Sequence, residues 1–278
     1  MQELAEQVNA AVPTSADSFT NIGTFTVPAG IKRLKRVRFG IAPDHGTTAI
    51  SVRCAPVLRL QGSGLQEQNP HDFLGKFSSV SVVTTGGLAQ NDLMMEYEVD
   101  IPVQTGGTYT ADVNTLDEAV TAGSVMINVL YDDKVAVAKN SMSQFVDAAG
   151  TTTADAFAAL GTFTIPKLDP AKDPTKIVEV VIGVALDQGT SAISLRTAPI
   201  IRLTQSGIKG SGLHDYVGPL ATSAHNGTTP SQGVAQDNGT IRIETDIDIN
   251  AGGQIVAEQQ FRVETPTAST VAVGLVYR

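Results

Sequence analysis

The sequence contains a long internal repeat, and this feature limits the fold more than any other. The stretch Gly40–Leu60 (GIAPDHGTTAISVRCAPVLRL) returns at Gly183–Leu203 (GVALDQGTSAISLRTAPIIRL), with 13 of 21 positions identical and no gap. Most of the other positions exchange Ile, Val and Leu, or Ser and Thr. A repeat of this quality indicates one structural unit that occurs twice, so a fold assignment has to suit both copies.

The repeat covers nearly the whole chain. Four further pairs of segments match on either side of the first pair: Asp17–Pro28 with Asp155–Pro166, Ser63–Gly75 with Ser206–Gly218, Glu98–Gly107 with Glu244–Gly253, and Thr121–Tyr131 with Thr267–Tyr277. The matches predict an N-terminal arm at 1–16, a first repeat at 17–131, a linker at 132–154 and a second repeat at 155–278. Each repeat has the size of an ordinary single domain.

Alternating hydrophobicity predicts antiparallel β-structure in both repeats. Apolar and acidic residues alternate through Leu93–Val103, and the counterpart at Ile241–Ile249 alternates with the same period. This period of two is typical of a strand with one buried and one solvated face. Each repeat holds seven or eight such candidates, separated by turn residues. We therefore predict an all-β protein of two tandem, homologous antiparallel β-sandwiches or barrels.

Two segments outside the repeats are predicted as helices. Met1–Val12 is rich in helix formers, places Leu4 and Val8 on one stripe and ends before Pro13, which favours a short N-terminal helical arm. Such an arm is either a frayed tail or a segment that docks on a neighbouring subunit or a membrane surface. Ser141–Ala149, in the linker, is predicted as a second short helix.

Loops and bends are predicted from glycine and proline. Residues 61–76 contain Gly, Asn and Pro and are predicted as a loop. Pro56 interrupts an extended run, and the second repeat has Pro199 at the same place. Because proline cannot donate a backbone hydrogen bond to a neighbouring strand, we expect an edge, a bend or a bulge there.

Composition and charge exclude several classes of protein. The formal net charge of −9 argues against general or sequence-specific nucleic-acid binding, which needs a basic surface. The single cysteine, Cys54, is replaced by Thr197 in the second repeat, so we expect no intrachain disulfide and synthesis in a reducing compartment. We recognise neither an apolar run of membrane-spanning length nor a secretory signal.

The histidines do not form a recognisable metal motif. His71-Asp72 and His214-Asp215 occupy equivalent places in the two repeats. A metal site needs three or four ligands, whereas an adjacent pair supplies at most two. The H-x-H pattern of metal-binding duplicated barrels is absent. We expect these pairs to be structural, as polar caps or interface hydrogen bonds, and we predict no cofactor.

Catalytic motifs are equally absent from the sequence. It contains no G-x-S-x-G nucleophile motif, no P-loop and no D-x-D-x-D-G calcium loop. The acidic residues of Leu93–Val103 could supply paired carboxylates, but an alternating acidic strand face is usually solvated. We therefore do not expect an enzyme.

Basic residues are the remaining candidates for contacts. Four arginines in the core stretch are present in both copies: Arg53 with Arg196, and Arg59 with Arg202. We expect them to pair with acids within a domain or across an interface. A basic cluster occurs only in the first repeat and consists of Lys32, Arg33, Lys35, Arg36 and Arg38. It is either a salt-bridged, solvated strand face or a contact with a subunit, acidic lipid or genome.

Two β-barrels of this size in tandem resemble the double jelly-roll major capsid proteins of tailless icosahedral viruses. The resemblance covers Asp17–Tyr131, Asp155–Tyr277 and the arm at Met1–Val12. It implies jelly-roll barrels, homotrimers that act as pseudo-hexamers in an icosahedral shell, and a place in the virion after synthesis in the host cytoplasm. It also implies contacts with other capsid or vertex proteins, and contact of the arm with an internal membrane.

A different class of protein remains as the alternative. Tandem β-sandwiches also serve as receptor- or glycan-binding modules of phage fibres and cell surfaces. The absence of Trp counts against a lectin. A capsid protein forms trimers and shells, whereas a fibre module is elongated and binds a receptor, so assembly state separates the two hypotheses.

Overall fold

The structure is a computed structural model. It describes residues 3–44, 51–66, 70–83, 87–91, 93–117, 122–133, 142–153, 155–168, 170–171, 173–187, 194–210, 213–225, 234–237, 239–261 and 268–278. Every regular element in these residues is a β-strand, so the all-β expectation is confirmed. The strands divide into an N-terminal half and a C-terminal half, as the sequence repeat does.

The strands of the first half are β1 (Glu3–Ala11), β2 (Thr20–Thr26), β3 (Arg33–Asp44), β4 (Ser51–Gln61), β5 (His71–Leu74), β6 (Ser78–Val83), β7 (Gly87–Asn91), β8 (Leu93–Pro102), β9 (Thr108–Asp117) and β10 (Ala122–Asp132). Those of the second half are β11 (Met142–Ala149), β12 (Ala158–Thr164), β13 (Lys176–Asp187), β14 (Ser194–Thr197), β15 (Pro199–Thr204), β16 (Leu213–Val217), β17 (Ala221–His225), β18 (Val234–Asp237), β19 (Gly239–Asp248), β20 (Gln254–Phe261) and β21 (Ala268–Tyr277).

The two halves have the same strand order. One sheet of the first half runs β1-β10-β3-β8, and its counterpart in the second half runs β11-β21-β13-β19. The other sheet runs β2-β9-β4-β6-β7, with β5 also paired to β4, and its counterparts run β12-β20-β15-β16 and β14-β17-β18. All the neighbouring strands are antiparallel. Each half is thus a pair of sheets whose facing sides form a core.

The expected N-terminal helical arm is wrong. Residues 3–11 form β1, which pairs with β10 along its whole length, from Glu3 opposite Asp132 to Ala11 opposite Ser124. Leu4 and Val8 are spaced by four residues, and this spacing places them on one side of a strand as well as of a helix. The edge of β10 is free to pair with this segment, and the core of the first half receives Leu4 and Val8. Tertiary pairing therefore overrides helix propensity here.

The short helix expected in the linker is also wrong, for the same reason. Met142–Ala149 is β11, which pairs with β21 as β1 pairs with β10. The sequences LAEQVNAA (Leu4–Ala11) and MSQFVDAA (Met142–Ala149) align without a gap and share Val, Ala and Ala. Each half therefore begins with one more strand than the repeat boundaries at 17 and 155 predicted.

The repeated proline marks the point where one strand changes its neighbour. Up to Cys54 the strand β4 pairs with β6, and from Val57 onward it pairs with β5. Pro56 lies between these two segments, and its carbonyl accepts a hydrogen bond from Gly75 N at 2.7 Å. In the second half Gly218 N donates to the Pro199 carbonyl at the same distance. The expected irregularity is thus a branch point of the sheet.

The predicted loop at 61–76 contains a strand in its second part. His71–Leu74 is β5, and its counterpart in the second half is β16. A four-residue strand is too short for period-two alternation to be visible, and its burial pattern is nearly continuous. Glycine and asparagine in the first part of the segment concealed it.

Two groups of buried apolar residues form the cores, one for each half. The core of the first half also includes four residues of the second half: Val181, Ala185, Ala272 and Val276. These four belong to β13 and β21, on the side that faces away from the second core. The second half therefore completes the core of the first.

Candidate functional site at the contact between the two halves

An arginine, an aspartate and a phenylalanine form the same cluster in both halves. In the first half Arg59 donates from Nε and from a terminal nitrogen to the two carboxylate oxygens of Asp72, at 2.7 and 2.8 Å. The guanidinium lies 3.8 Å from the centre of the Phe19 ring. Two parallel hydrogen bonds fix the orientation of a guanidinium more strictly than a single charge contact. The hydrogen bond with Asp72 raises the pKa of Arg59.

The second half repeats this cluster with the same geometry. Arg202 donates twice to Asp215, at 2.8 Å each, and lies 3.8 Å from the centre of the Phe157 ring. In each half the arginine and the aspartate are directly opposite on adjacent strands. The cluster therefore fixes β5 against β4, and β16 against β15, in one register.

The two histidines that precede these aspartates have different surroundings. His71 is buried, and its ring stacks with that of Phe73 at a centroid distance of 6.5 Å. His214 is half-buried on β16. Arg53 lies in β4 and Arg196 in β14, but their side chains fall outside the described residues. Within the described part of the chain, no three His, Cys, Asp or Glu residues group as a metal site.

Leu74, at the end of β5, and Phe77, shortly after it, contact the second half at positions where that half has glycine. A Cβ built on Gly274 would lie 3.5 Å from the Leu74 Cβ. A Cβ built on Gly183 would lie 2.6 Å from Cε2 of Phe77. The Phe77 amide also donates to Thr240 Oγ1 at 3.1 Å. The missing side chain at Gly183 leaves the space that the Phe77 ring occupies, whereas a Cβ on Gly274 would be in ordinary van der Waals contact with Leu74.

The outer face of one sheet of the second half forms this contact. The sheet is β11-β21-β13-β19, and its outward side is apolar at Val181, Ala185, Ala272 and Val276. Phe145 of β11 adds an edge-to-face contact with the Phe19 ring of the Arg59 cluster, at 6.5 Å between centroids. A sheet face of the second half thus covers an edge of the first half.

Arg242 connects the two halves at the β8 side of the contact. Its guanidinium donates to both carboxylate oxygens of Glu179 on β13, at 2.6 and 2.5 Å, and to the Glu96 carbonyl of β8. It also lies 4.8 Å from the centre of the Tyr97 ring. Tyr97 in turn donates to the Leu74 carbonyl at 2.7 Å. Burial, followed by the charge of Glu179, raises the pKa of Tyr97, so this hydroxyl stays neutral.

The basic cluster lies on β3 and the residue before it, and several of its members have acidic partners. Arg33 pairs with Asp100, and Lys35 approaches Asp132 at 3.5 Å. Arg36 lies 3.5 Å from Glu96 and 3.7 Å from Glu98. Lys32 and Arg38 are exposed. Acids of the same half therefore partly neutralise the cluster in the isolated chain.

A polar cluster in the first half has a carboxyl group where the second half has an amide, and our sequence analysis missed it. The hydroxyls of Tyr109 and Tyr131 are 2.5 Å apart, and Tyr131 also hydrogen-bonds the carboxylate of Glu6. Burial raises the pKa of Glu6, and the bond from Tyr131 partly opposes this shift. In the second half Tyr277 donates to Gln144 at 3.1 Å. The gap-free alignment of β1 with β11 could have shown this exchange of Glu for Gln.

Comparisons with known proteins leave the chain without an assigned family. No family model matches it, and no curated protein does. Among the described residues, no helix has the length and apolarity needed to span a membrane.

Three solved structures illustrate its similarities, all at low identity. The major capsid protein of STIV is 10% identical, with a TM-score of 0.45 over 100% of this chain and 97% of that chain. A peptide-N(4)-(N-acetyl-β-D-glucosaminyl) asparagine amidase is 11% identical, with a TM-score of 0.44 over 99% and 96%. PNGase F of Flavobacterium meningosepticum is 12% identical, with a TM-score of 0.38 over 100% and 96%. Similarities at this level assign neither a family nor an activity.

Proposed function

We propose that the protein is a major capsid protein, a structural component of a virion that assembles with copies of itself. Each half provides one jelly-roll unit, which we call a tile. Three chains form a pseudo-hexameric trimer with six tiles. Such trimers cover an icosahedral shell, next to other capsid or vertex proteins. The chain is made in the host cytoplasm and functions in the particle.

The strand order supports a jelly roll in each half. In the first half, β1-β10-β3-β8 is one sheet, and β2-β9-β4-β5 forms the corresponding four-strand path in the other. Eight strands in two packed antiparallel sheets are the number and arrangement of a jelly roll. The second half repeats the order with β11-β21-β13-β19 and β12-β20-β15-β16.

The contact between the halves is the observation that carries the proposal. One tile uses the outer face of a sheet, and the other uses the edge that contains β5 and β8. Two similar bodies joined through different surfaces make a heterologous contact, and each body keeps the surface that its partner used. A chain with this contact inside it is suited to add further tiles in the same way, which is the property that a shell protein requires.

The experiment is electron microscopy of the purified protein by negative stain, over a series of protein and salt concentrations. We expect particles with a hexagonal outline, and sheets or shells at the higher protein concentrations. Single elongated particles at every condition, together with binding on a glycan array, would contradict the proposal and favour a receptor-binding module.

A further inference from the structure

Both halves have an equivalent apolar edge, which is covered in the first half and exposed in the second. In the first half, Leu74 and Phe77 are 1% and 0% exposed because the second half lies over them. Their counterparts by the sequence repeat are Val217 and Leu220, and these are 64% and 67% exposed. The same two positions of one tile are therefore core in one copy and surface in the other.

Neighbouring positions show the same difference. Phe73, Met95 and Tyr97 are all buried in the first half. Their counterparts in the second half are only partly buried: Tyr216, Ile241 and Ile243. The five positions lie on β16, just after it and on β19, which are end strands of their sheets, and we call them the open edge (Tyr216, Val217, Leu220, Ile241 and Ile243). A cluster of apolar side chains exposed in this way marks a site of protein contact.

We infer that another copy of this chain covers the open edge, with the outer face of its β1-β10-β3-β8 sheet. The inference rests on the proposed function, and it assigns the two surfaces that meet. The contact inside the chain supplies the argument, because the equivalent sheet of the second half, β11-β21-β13-β19, already covers the equivalent edge of the first. The contact inside the chain leaves two equivalent surfaces free, the outer face of β1-β10-β3-β8 and the open edge. The same kind of contact between two chains would use these two surfaces.

The covering face of the first half carries side chains that suit this role. Met126 is 47% exposed on β10, where the second half has the buried Ala272. Arg38 is exposed on β3, at the position of Val181. Exposed Glu244 on β19 gives the open edge an acidic border. Opposite charges such as those of Arg38 and Glu244 steer and orient association between two surfaces.

The position of each contact follows from the alignment of the halves. Inside the chain Leu74 lies at Gly274, with 3.5 Å between the Leu74 Cβ and a Cβ built on the glycine. The counterparts of these two residues are Val217 and Asn128. Val217 of one chain is therefore expected at Asn128 of the next. The proposed trimer requires three such contacts, one between each pair of neighbouring chains, and a heterologous contact forms a ring when its rotation closes.

The first experiment is a disulfide cross-link of the full chain, with the buried Cys54 changed to Thr as in the second repeat. A separation of 3.5 Å between Cβ atoms falls in the range that a disulfide needs. We expect Val217→Cys with Asn128→Cys to give covalent trimers under oxidising conditions on a non-reducing gel. The matched control, Leu74→Cys with Gly274→Cys, should cross-link within a single chain. Either cysteine of the first pair alone should give no trimer.

The second experiment removes the apolar edge. Because a well-placed interface side chain changes affinity by roughly 30-fold or more, Val217→Lys with Leu220→Lys should abolish the trimer in light scattering. At a concentration low enough to keep the wild type monomeric, the melting temperature of the variant should match that of the wild type, since both side chains are exposed in the isolated chain. Leu168→Lys is the control, because Leu168 is 39% exposed outside the open edge. That variant should remain a trimer.

The outcomes separate the two proposals. If the wild-type chain is a trimer but the Val217 and Asn128 cysteines fail to cross-link while the control pair succeeds, the assigned surfaces are wrong and the capsid function stands. A trimer that survives both lysine substitutions contradicts the assigned surfaces in the same way. A wild-type chain that stays monomeric at every condition overturns both proposals.

Discussion

At the scale of single residues, the two arginine clusters offer a comparison that the chain itself provides. Asp72 has a side chain that is 13% exposed, whereas that of Asp215 is 42% exposed, although the hydrogen bonds are nearly equal in length. An acid that loses its partner costs more when it is shielded from water. The Arg59 cluster should therefore matter more for stability than the Arg202 cluster.

We predict that Arg59→Ala lowers the free energy of unfolding by about 1–2 kcal/mol. Arg202→Ala should lower it by less, because water solvates the Asp215 carboxylate that is left behind. Urea denaturation of the two variants and the wild type measures both losses. Equal losses would show that burial of the aspartate does not set the contribution of the pair.

The Glu6 cluster leads to a prediction about pH. Because burial raises the pKa of Glu6, the folded chain binds this proton more tightly than the unfolded chain does. Its contribution to stability therefore falls as the pH rises from the ordinary glutamate range through the raised pKa of the folded state. Glu6→Gln should remove this loss, so that the variant is the more stable protein at neutral pH.

Denaturation of wild type and Glu6→Gln between about pH 4 and pH 8 measures the effect. The control is the opposite exchange, Gln144→Glu in the second half, which should introduce the same pH dependence there. Parallel stability profiles for the wild type and Glu6→Gln would contradict the prediction.

At the scale of elements, the packing of β1 over β2 can be tested through one close contact. A Cβ built on Gly23 would lie 2.7 Å from Cγ1 of Val8, and Gly161 has the same relation to Val146 in the second half. We predict that Gly23→Ala costs about 1–3 kcal/mol by overpacking. In a Val8→Ala background the same change should cost far less.

A double-mutant cycle on the free energy of unfolding measures this coupling. We expect an interaction of about 1 kcal/mol or more, as for residues in direct contact. Independent effects of the two substitutions would mean that residues 3–11 do not pack on β2 as a strand. The cycle with Gly161 and Val146 should give a similar coupling.

The elements also show what could and could not be predicted from the sequence. The clear alternation in β8 and β19 predicted strands of the right kind and bounds to within a few residues. In β1 and β11 the apolar spacing of four fits both a helix and a strand, and only the free edges of β10 and β21 decide between them. The strand β5 was missed because four residues with nearly continuous burial show no alternation, and part of that burial comes from the second half of the chain.

The candidate site could be predicted only in part, for a similar reason. The repeat showed that Arg59 and Asp72 each occur twice, but not that they face each other. The contact of Phe77 with Gly183 joins residues far apart in sequence and of unremarkable type. A contact between two copies of one unit leaves no periodic pattern, so it becomes visible only when the burial of equivalent positions is compared.

At the scale of the whole molecule, the different burial of equivalent positions predicts different effects of the same kind of substitution in the two halves. Phe77→Ala removes a buried ring at the contact between the halves and should lower the free energy of unfolding by about 3–5 kcal/mol. Leu220→Ala, at the equivalent exposed position, should leave the stability of the isolated chain nearly unchanged.

Thermal and urea denaturation at a protein concentration low enough to keep the chain monomeric measures both effects. Leu220→Ala should instead weaken association when the concentration is raised. A large loss of stability in Leu220→Ala, or none in Phe77→Ala, would contradict the assignment of one position to the internal contact and the other to the surface.

The central claim is that each chain is a pair of equivalent tiles that assembles with further copies through the surfaces left free. The most direct measurement is the solution mass of the purified wild-type chain by light scattering, over a range of concentration, pH and salt. The account predicts a stable particle of three times the chain mass of 29.0 kDa. A uniform particle of one chain mass under every condition would contradict it.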